Sequence, residues 1–227
     1  MDDFTPVVAI VDYGLGNLFS IEQACAFVGL KSIITNSRKD ILDAAAVILP
    51  GVGSYGDAML TLHRLDLVNV LRDIAESPKP LFGICLGLQL LMTESYEFGR
   101  HKGLGIIEGP VIRFDAPKEK ECILKVPQIG WNRIFQPTNG LRWHGTLLDG
   151  MDKGEHMYFV HSYIVQPQES NVVLSISRYG HIEFCSGIQH RNVFACQFHP
   201  ERSGMKGMKV YHNLAALLRP AIQGGPP

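Results

Sequence analysis

Leu81-Phe82-Gly83-Ile84-Cys85-Leu86-Gly87 decides the fold of this chain. Its first four residues run apolar without alternation, which reads as a short strand buried on both faces, as in helix-covered parallel sheets. The rest has the form G-x-C-x-G, a strand-to-helix elbow with sulfur at its tip. Toward the N-terminus the same rhythm repeats. Val7–Val11 reads as a buried strand, Leu18–Phe27 as a helix closed by Gly29, and residues 32–35 as a strand. A short helix follows at Arg38–Asp43, then a strand over 45–49 and a helix over 55–75, broken near His63–Asp66 and stopped by Pro78 and Pro80. Toward the C-terminus, 86–96 reads as a helix.

From 111 to 197 the strands shorten and prolines and glycines crowd between them, which predicts antiparallel hairpins. A last strand over 193–198 precedes a last helix over 206–218, and Gly224-Gly225-Pro226-Pro227 reads as a frayed tail. The expected fold is α/β: a mostly parallel central sheet flanked by helices, with an added antiparallel strand region. No linker divides it, so residues 1–227 read as a single domain.

Composition narrows the function. The 227 residues carry a formal charge of −1 with Lys and Arg scattered, so no nucleic-acid footprint is expected. The longest stretch without Asp, Glu, Lys or Arg, 80–93, is too short to cross a bilayer. An acidic start (Asp2, Asp3) without a leader pattern predicts a cytoplasmic protein. Only 19% of residues are charged, a hint that another protein covers part of the surface. Cysteines at 25, 85, 122, 185 and 196 show no disulfide or metal-ligand spacing, so neither metal nor cofactor is expected.

Cys85 has unusual neighbours. At an elbow the side chain projects above the sheet at a helix start, where N–H groups and the helix dipole favour the thiolate and the Leu86 N–H can meet an oxyanion. The competing reading is a buried structural thiol in a Gly-containing loop; a base decides between them. Gln197-Phe198-His199-Pro200-Glu201 supplies one. On extended chain residues two apart point the same way, which would lay the Glu201 carboxylate beside the His199 imidazole and fix its tautomer. Pro50-Gly51-Val52-Gly53 follows a buried strand and suits a second oxyanion donor. Residues 51–56 also match G-x-G-x-x-G. Pro50 interrupts that turn and no acidic residue is placed to hold a ribose, so a dinucleotide site is discounted.

Together these pieces resemble the class I (triad) glutamine amidotransferases. Asp12-Tyr13-Gly14-Leu15-Gly16-Asn17, residues 126–132 (VPQIGWN) and residues 158–163 (YFVHSY) are most similar to the glutaminase subunits of imidazole glycerol phosphate synthases. The resemblance spans the chain and implies glutamine amide hydrolysis by Cys85, with His199 as base and Glu201 orienting it. It also implies an oxyanion region at Gly51, Val52, Gly53 and Leu86, and a glutamine pocket at Gln89, His161, Ser162 and Tyr163. Ammonia would pass to a separate (β/α)₈-barrel cyclase in a heterodimer, for histidine synthesis.

One position departs from the family's usual pattern: Gln128 stands where a histidine is usual. It is placed near partner-facing loops, outside the triad, which opens an alternative recipient: a sugar-modifying synthase of surface-polysaccharide synthesis. A γ-glutamyl peptidase would share Cys85 and His199 but would usually carry a targeting segment. A non-catalytic regulatory homologue would be expected to have lost a triad residue.

Overall fold

Val8 and Ile10 face one side of the sheet and Ala9 and Val11 the other, and all four are fully buried. That double burial is why the run lacks alternation. In the computed structural model, which describes residues 6–138 and 140–219, it forms β1 (Val7–Val11). The acidic start and the Gly-Pro tail lie outside the described residues. β1 pairs in parallel with β2 (Lys31–Thr35) and β3 (Ala46–Leu49), and β3 with β4 (Leu81–Ile84). The connecting helices are α1 (Leu18–Phe27), α2 (Arg38–Asp43), α3 (Tyr55–Arg64) and α4 (Leu67–Glu76), the last two separated where expected. Beneath one face of the sheet lies an apolar cluster built on Val47, Leu49, Leu62 and Leu71. The opposite face buries Ile48, Phe82, Phe194 and Tyr211.

The helix expected over 86–96 is much shorter. α5 spans Leu86–Leu90, and β5 (Met92–Ser95) follows. Incoming chain takes the acceptors a longer helix would need: Leu90 O receives the Leu104 N–H at 2.8 Å, and Leu91 O those of Ile106 and Ile107 at 2.9 and 3.0 Å. Tertiary pairing overrides local periodicity there.

Beyond α5 come β6 (His101–Lys102), β7 (Ile107–Arg113), the small ribbon β8 (Lys118–Glu119) and β9 (Cys122–Ile123), then β10 (Gln128–Ile134) and β11 (Glu155–His161). β12 (Tyr163–Val165), β13 (Val173–Tyr179), β14 (Ile182–His190), β15 (Val193–Cys196) and the closing helix α6 (Gly204–Leu218) complete the described chain. The main sheet runs β2-β1-β3-β4-β15-β14-β12-β7-β5-β6, with β13 on β14. From β14 to β7 the pairings are antiparallel, as the punctuation predicts. β10 and β11 form a separate antiparallel ribbon. β15 returns from this region to lie parallel beside β4. That insertion positions the site, because β3, β4 and β15 become neighbours ending at one edge.

Candidate active site

Three chain segments distant in sequence leave this edge side by side: 50–53 after β3, Cys85 after β4, and His199 beyond β15. Leu49 pairs with Gly83, and Ile84 with Cys196. Ligand sites of open α/β sheets lie at such carboxyl ends.

Cys85 has φ 55° and ψ −106°, a strained conformation for a residue with a side chain. The neighbouring glycines permit it. A Cβ at Gly87 would come within 1.9 Å of the Leu49 carbonyl oxygen, and one at Gly83 within 3.1 Å of the Ala195 side chain. The elbow is therefore pressed against both adjacent strands. Its helix is only five residues long, so the dipole invoked from the sequence is short, and local groups carry more of the electrostatics.

His199 is anchored by a closed set of hydrogen bonds. Its N–H donates to Tyr158 O at 2.9 Å, the Ser203 hydroxyl donates to His199 O at 2.6 Å, and the Tyr158 N–H donates to that hydroxyl at 2.9 Å. Its Nδ1 lies 2.7 Å from Glu201 Oε1, and both side chains are buried. The expected contact is present, but its cause differs from the expectation. Pro200–Arg202 is a 3₁₀ turn, not extended chain, and the turn folds the carboxylate back onto the ring.

Burial opposes a charge on His199, yet the Cys85 sulfur and the Glu201 carboxylate outweigh it and raise the imidazole to about 10. The ring is thus held as imidazolium at neutral pH. Nε2 is buried and closes no hydrogen bond of good geometry. Burial pushes Cys25 and Cys185 up to about 12 and Cys196 well above the ordinary value, so all three stay protonated and unreactive. Cys122 is exposed.

A cavity of about 270 Å³ opens beside Cys85, and Val52, Gly53, Leu86, Gln89, His161, Ser162 and Tyr163 all line it. Of the expected site residues, His199 and Glu201 do not, and neither does Gly51. Its carbonyl accepts the Leu86 N–H at 3.3 Å, so the donor assigned to the oxyanion is occupied. The Tyr13 hydroxyl donates to Pro50 O at 2.6 Å and pins the start of this loop. Glu97, Pro127 and Val160 also line the cavity and escaped the sequence reading. Glu97, whose carboxylate accepts the Tyr55 N–H, was hidden because its segment reads as the end of a helix. A larger cavity, about 630 Å³, lies at the opposite end of β3, β4 and β15 among Pro78, Pro80, Asn192 and Leu217. None of its lining residues is a cysteine or histidine, so size does not identify the site here.

Gln128 requires a correction. It is not a surface contact but a buried partner of His161, whose Nε2 lies 3.1 Å from the Gln128 amide while Nδ1 lies 2.9 Å from Tyr163 O. Burial lowers His161 to about 4, so the ring is neutral and has one N–H to donate. The Tyr163 carbonyl can only accept, so it takes the Nδ1–H, and the amide of Gln128 must present its NH₂ to Nε2. What the ribbon does turn outward is Ile129 and Trp131, both more than half exposed.

The sequence model of the family described as Glutamine amidotransferase class-I matches residues 9–215. The imidazole glycerol phosphate synthase subunit HisH of Aquifex aeolicus is 43% identical over 205 residues, covering 90% of this chain and 93% of that one. The subunit of the same name from Moorella thermoacetica is 42% identical over 218 residues, covering 96% and 98%. Among solved structures, PurLQS from Thermotoga maritima superposes with a TM-score of 0.71 at 22% identity, covering 95% of this chain and 100% of that one. A crystal structure of a glutamine amidotransferase superposes at 0.68 and 18%, covering 93% and 97%. At those identities the structural likeness speaks to fold alone.

Proposed function

The chain belongs to the class-I glutamine amidotransferases, and on that premise we propose that Cys85, His199 and Glu201 carry out its glutamine hydrolysis. Its function is that of the glutaminase subunit of an imidazole glycerol phosphate synthase, releasing ammonia from glutamine for histidine biosynthesis. The observation that carries the triad reading is the buried His199–Glu201 pair, held as imidazolium beside the sulfur of the neighbouring strand.

The chemistry follows from that arrangement. The Cys85 thiolate attacks the side-chain amide carbon of glutamine, forming a C–S bond and a tetrahedral oxyanion. His199 gives its Nε2 proton to the nitrogen as the C–N bond breaks, and ammonia leaves a thioester. A water then gives a proton to His199 and attacks the thioester carbon. Collapse of that second intermediate breaks the C–S bond, releasing glutamate and regenerating the thiolate–imidazolium pair. Glu201 keeps the ring oriented and stabilises its charge throughout. Gln89 and the 161–163 segment bind the glutamine, and Glu97 offers a carboxylate to its α-ammonium group.

The oxyanion donor is absent from the resting conformation. Turning over the Gly51–Val52 peptide would free the Leu86 N–H and bring the Val52 N–H toward the oxyanion. The partner subunit supplies that change by docking at the face that presents Val52, Ile129 and Trp131, all exposed in this chain. That partner is a separate (β/α)₈-barrel cyclase, and the complex works in the cytoplasm. Among the described residues no helix is long and apolar enough to cross a membrane. A sugar-modifying recipient has no support in these relatives, and Gln128, its only motive, faces inward.

The test is ammonia release from glutamine, measured for the chain alone, with the cyclase of its own organism, and with that cyclase and its ligand. Strong stimulation in the last case, with growth of a histidine auxotroph supplied with both subunits, is the expected result. No ammonia release under any of these conditions would reject the reading.

A further inference from the structure

Gln197 is an amide in an unlikely place. It exposes none of its surface, and its neighbours Cys196 and Phe198 are equally enclosed. Burying an amide is unfavourable unless its hydrogen bonds are remade, and an apolar side chain of similar volume would avoid that cost. The bonds it makes lead to the nucleophile. Its Oε1 accepts from Gln89 Nε2 at 3.0 Å, and its Nε2 donates to Cys85 Sγ at 3.5 Å. Gln89 Nε2 also donates to Tyr163 O at 3.2 Å.

The polarity of this chain of bonds is forced. The Tyr163 carbonyl can only accept, so Gln89 must point its NH₂ that way, and the second hydrogen of that NH₂ meets Gln197. Gln197 must then show Gln89 its oxygen, which leaves its own NH₂ for the sulfur. Reversing Gln197 would set NH₂ against NH₂; reversing both would set the Gln89 oxygen against the Tyr163 oxygen. One backbone carbonyl thus determines what the nucleophile receives. Both hydrogens of the Gln89 amide are used, so its Oε1 is left for the pocket that Gln89 lines.

We infer that Gln197 is a catalytic residue that donates a hydrogen bond to the Cys85 thiolate and, through Gln89, couples the nucleophile to the glutamine pocket. The inference rests on Cys85 being the nucleophile. An N–H aimed at sulfur favours the thiolate over the thiol, in addition to the His199 imidazolium. The same residue holds Gln89 in its substrate-accepting orientation.

Iodoacetamide labelling at pH 7 tests this, because the reagent is small and needs no glutamine pocket. Mass spectrometry of the full-length chain follows Cys85 against the exposed Cys122 as internal reference. Gln197→Met should slow Cys85 labelling about tenfold relative to Cys122 and raise the KM for glutamine. Gln197→Glu keeps the size and an oxygen toward Gln89 while removing the donor. It should slow labelling as well, with a KM closer to that of the parent, and it carries the test if the Met variant misfolds by circular dichroism. An unchanged Cys85-to-Cys122 ratio overturns the donor role, and an unchanged KM in the Met variant overturns the coupling. Cys85→Ala separates the two readings: glutamine turnover in that variant would sink the nucleophile assignment itself. Its inactivity, together with unchanged labelling in the Gln197 variants, would sink this inference alone.

Discussion

The two halves of the candidate site stand in different states. Around Cys85 and His199 the backbone is held: strand pairing fixes the elbow, a closed hydrogen-bond set fixes the His199 main chain, and a buried carboxylate orients its ring. Beside the elbow, the loop 50–53 presents a carbonyl to the Leu86 N–H, where the proposed reaction needs a free N–H. The proposed nucleophile sits in a fixed elbow, and the proposed oxyanion donor is occupied. The difference teaches how a subunit can keep reactive sulfur without wasting glutamine. The hard-to-build part is rigid core, and the proposed switch is one peptide unit whose leading residue, Gly51, has no side chain to restrict its backbone.

Replacing the nucleophile removes one side of this comparison altogether. Cys85→Ala should lower glutamine-dependent synthesis on the order of 10⁴–10⁶-fold while synthesis from added ammonium salts persists. Glutamine turnover at a comparable rate would show that the elbow is not the reacting group. Glu201→Gln attacks the same side more gently. It should cost roughly 10²–10⁴-fold in turnover, less than Cys85→Ala, because the ring keeps its place but loses its orienting charge. An unaltered rate would make Glu201 a structural carboxylate.

The other side of the comparison is probed by the partner. One oxyanion donor is worth roughly 10²–10³-fold, so stimulation of the isolated chain by cyclase plus ligand should be at least of that order. Full activity of the chain alone would mean that the loop is already competent in solution.

The smallest effect concerns the two histidines, one held charged and one neutral. His199 is raised to about 10, so its contribution to stability is complete below its ordinary value near 6.5 and fades as pH climbs through about 10. His161 is lowered to about 4, so its contribution is complete above 6.5 and is lost as pH falls toward 4. That loss amounts to about 3 kcal/mol. Urea unfolding at pH 7 and pH 4 should show a drop smaller by that amount in His161→Asn. Equal drops in parent and variant would mean that His161 is protonated in the native state.

Much of this was legible in the residues. Unbroken apolar runs at Val7–Val11 and Leu81–Ile84 read as strands covered on both faces, and Gly83 and Gly87 around Cys85 mark a backbone pressed against its neighbours. Cys85 and His199 stood out as candidates because a G-x-C-x-G elbow and a His-Pro-Glu segment are recognisable local settings. Where the reading failed, the deciding partner was remote. Residues 92–95 look helical until chain from 104–107 takes their acceptors, and Glu97 becomes a pocket wall only once that strand forms. Gln128 looks like a surface residue until β10 pairs with β11 and turns it onto His161.

The sequence by itself therefore determined the α/β class, the elbow and the candidates for the reacting groups, since periodicity, glycine spacing and side-chain chemistry are local properties. Only the tertiary structure decided that β15 lies between β4 and β14, and so that His199 stands beside Cys85. It likewise decided that Leu86 N–H is taken by Gly51 O and that the Gln197 amide points at sulfur. Those outcomes depend on which hydrogen-bonding groups meet from segments far apart in the chain, up to 112 residues for Gln197 and Cys85. No local pattern records that meeting; strand order and the requirement to satisfy every buried donor and acceptor determine it.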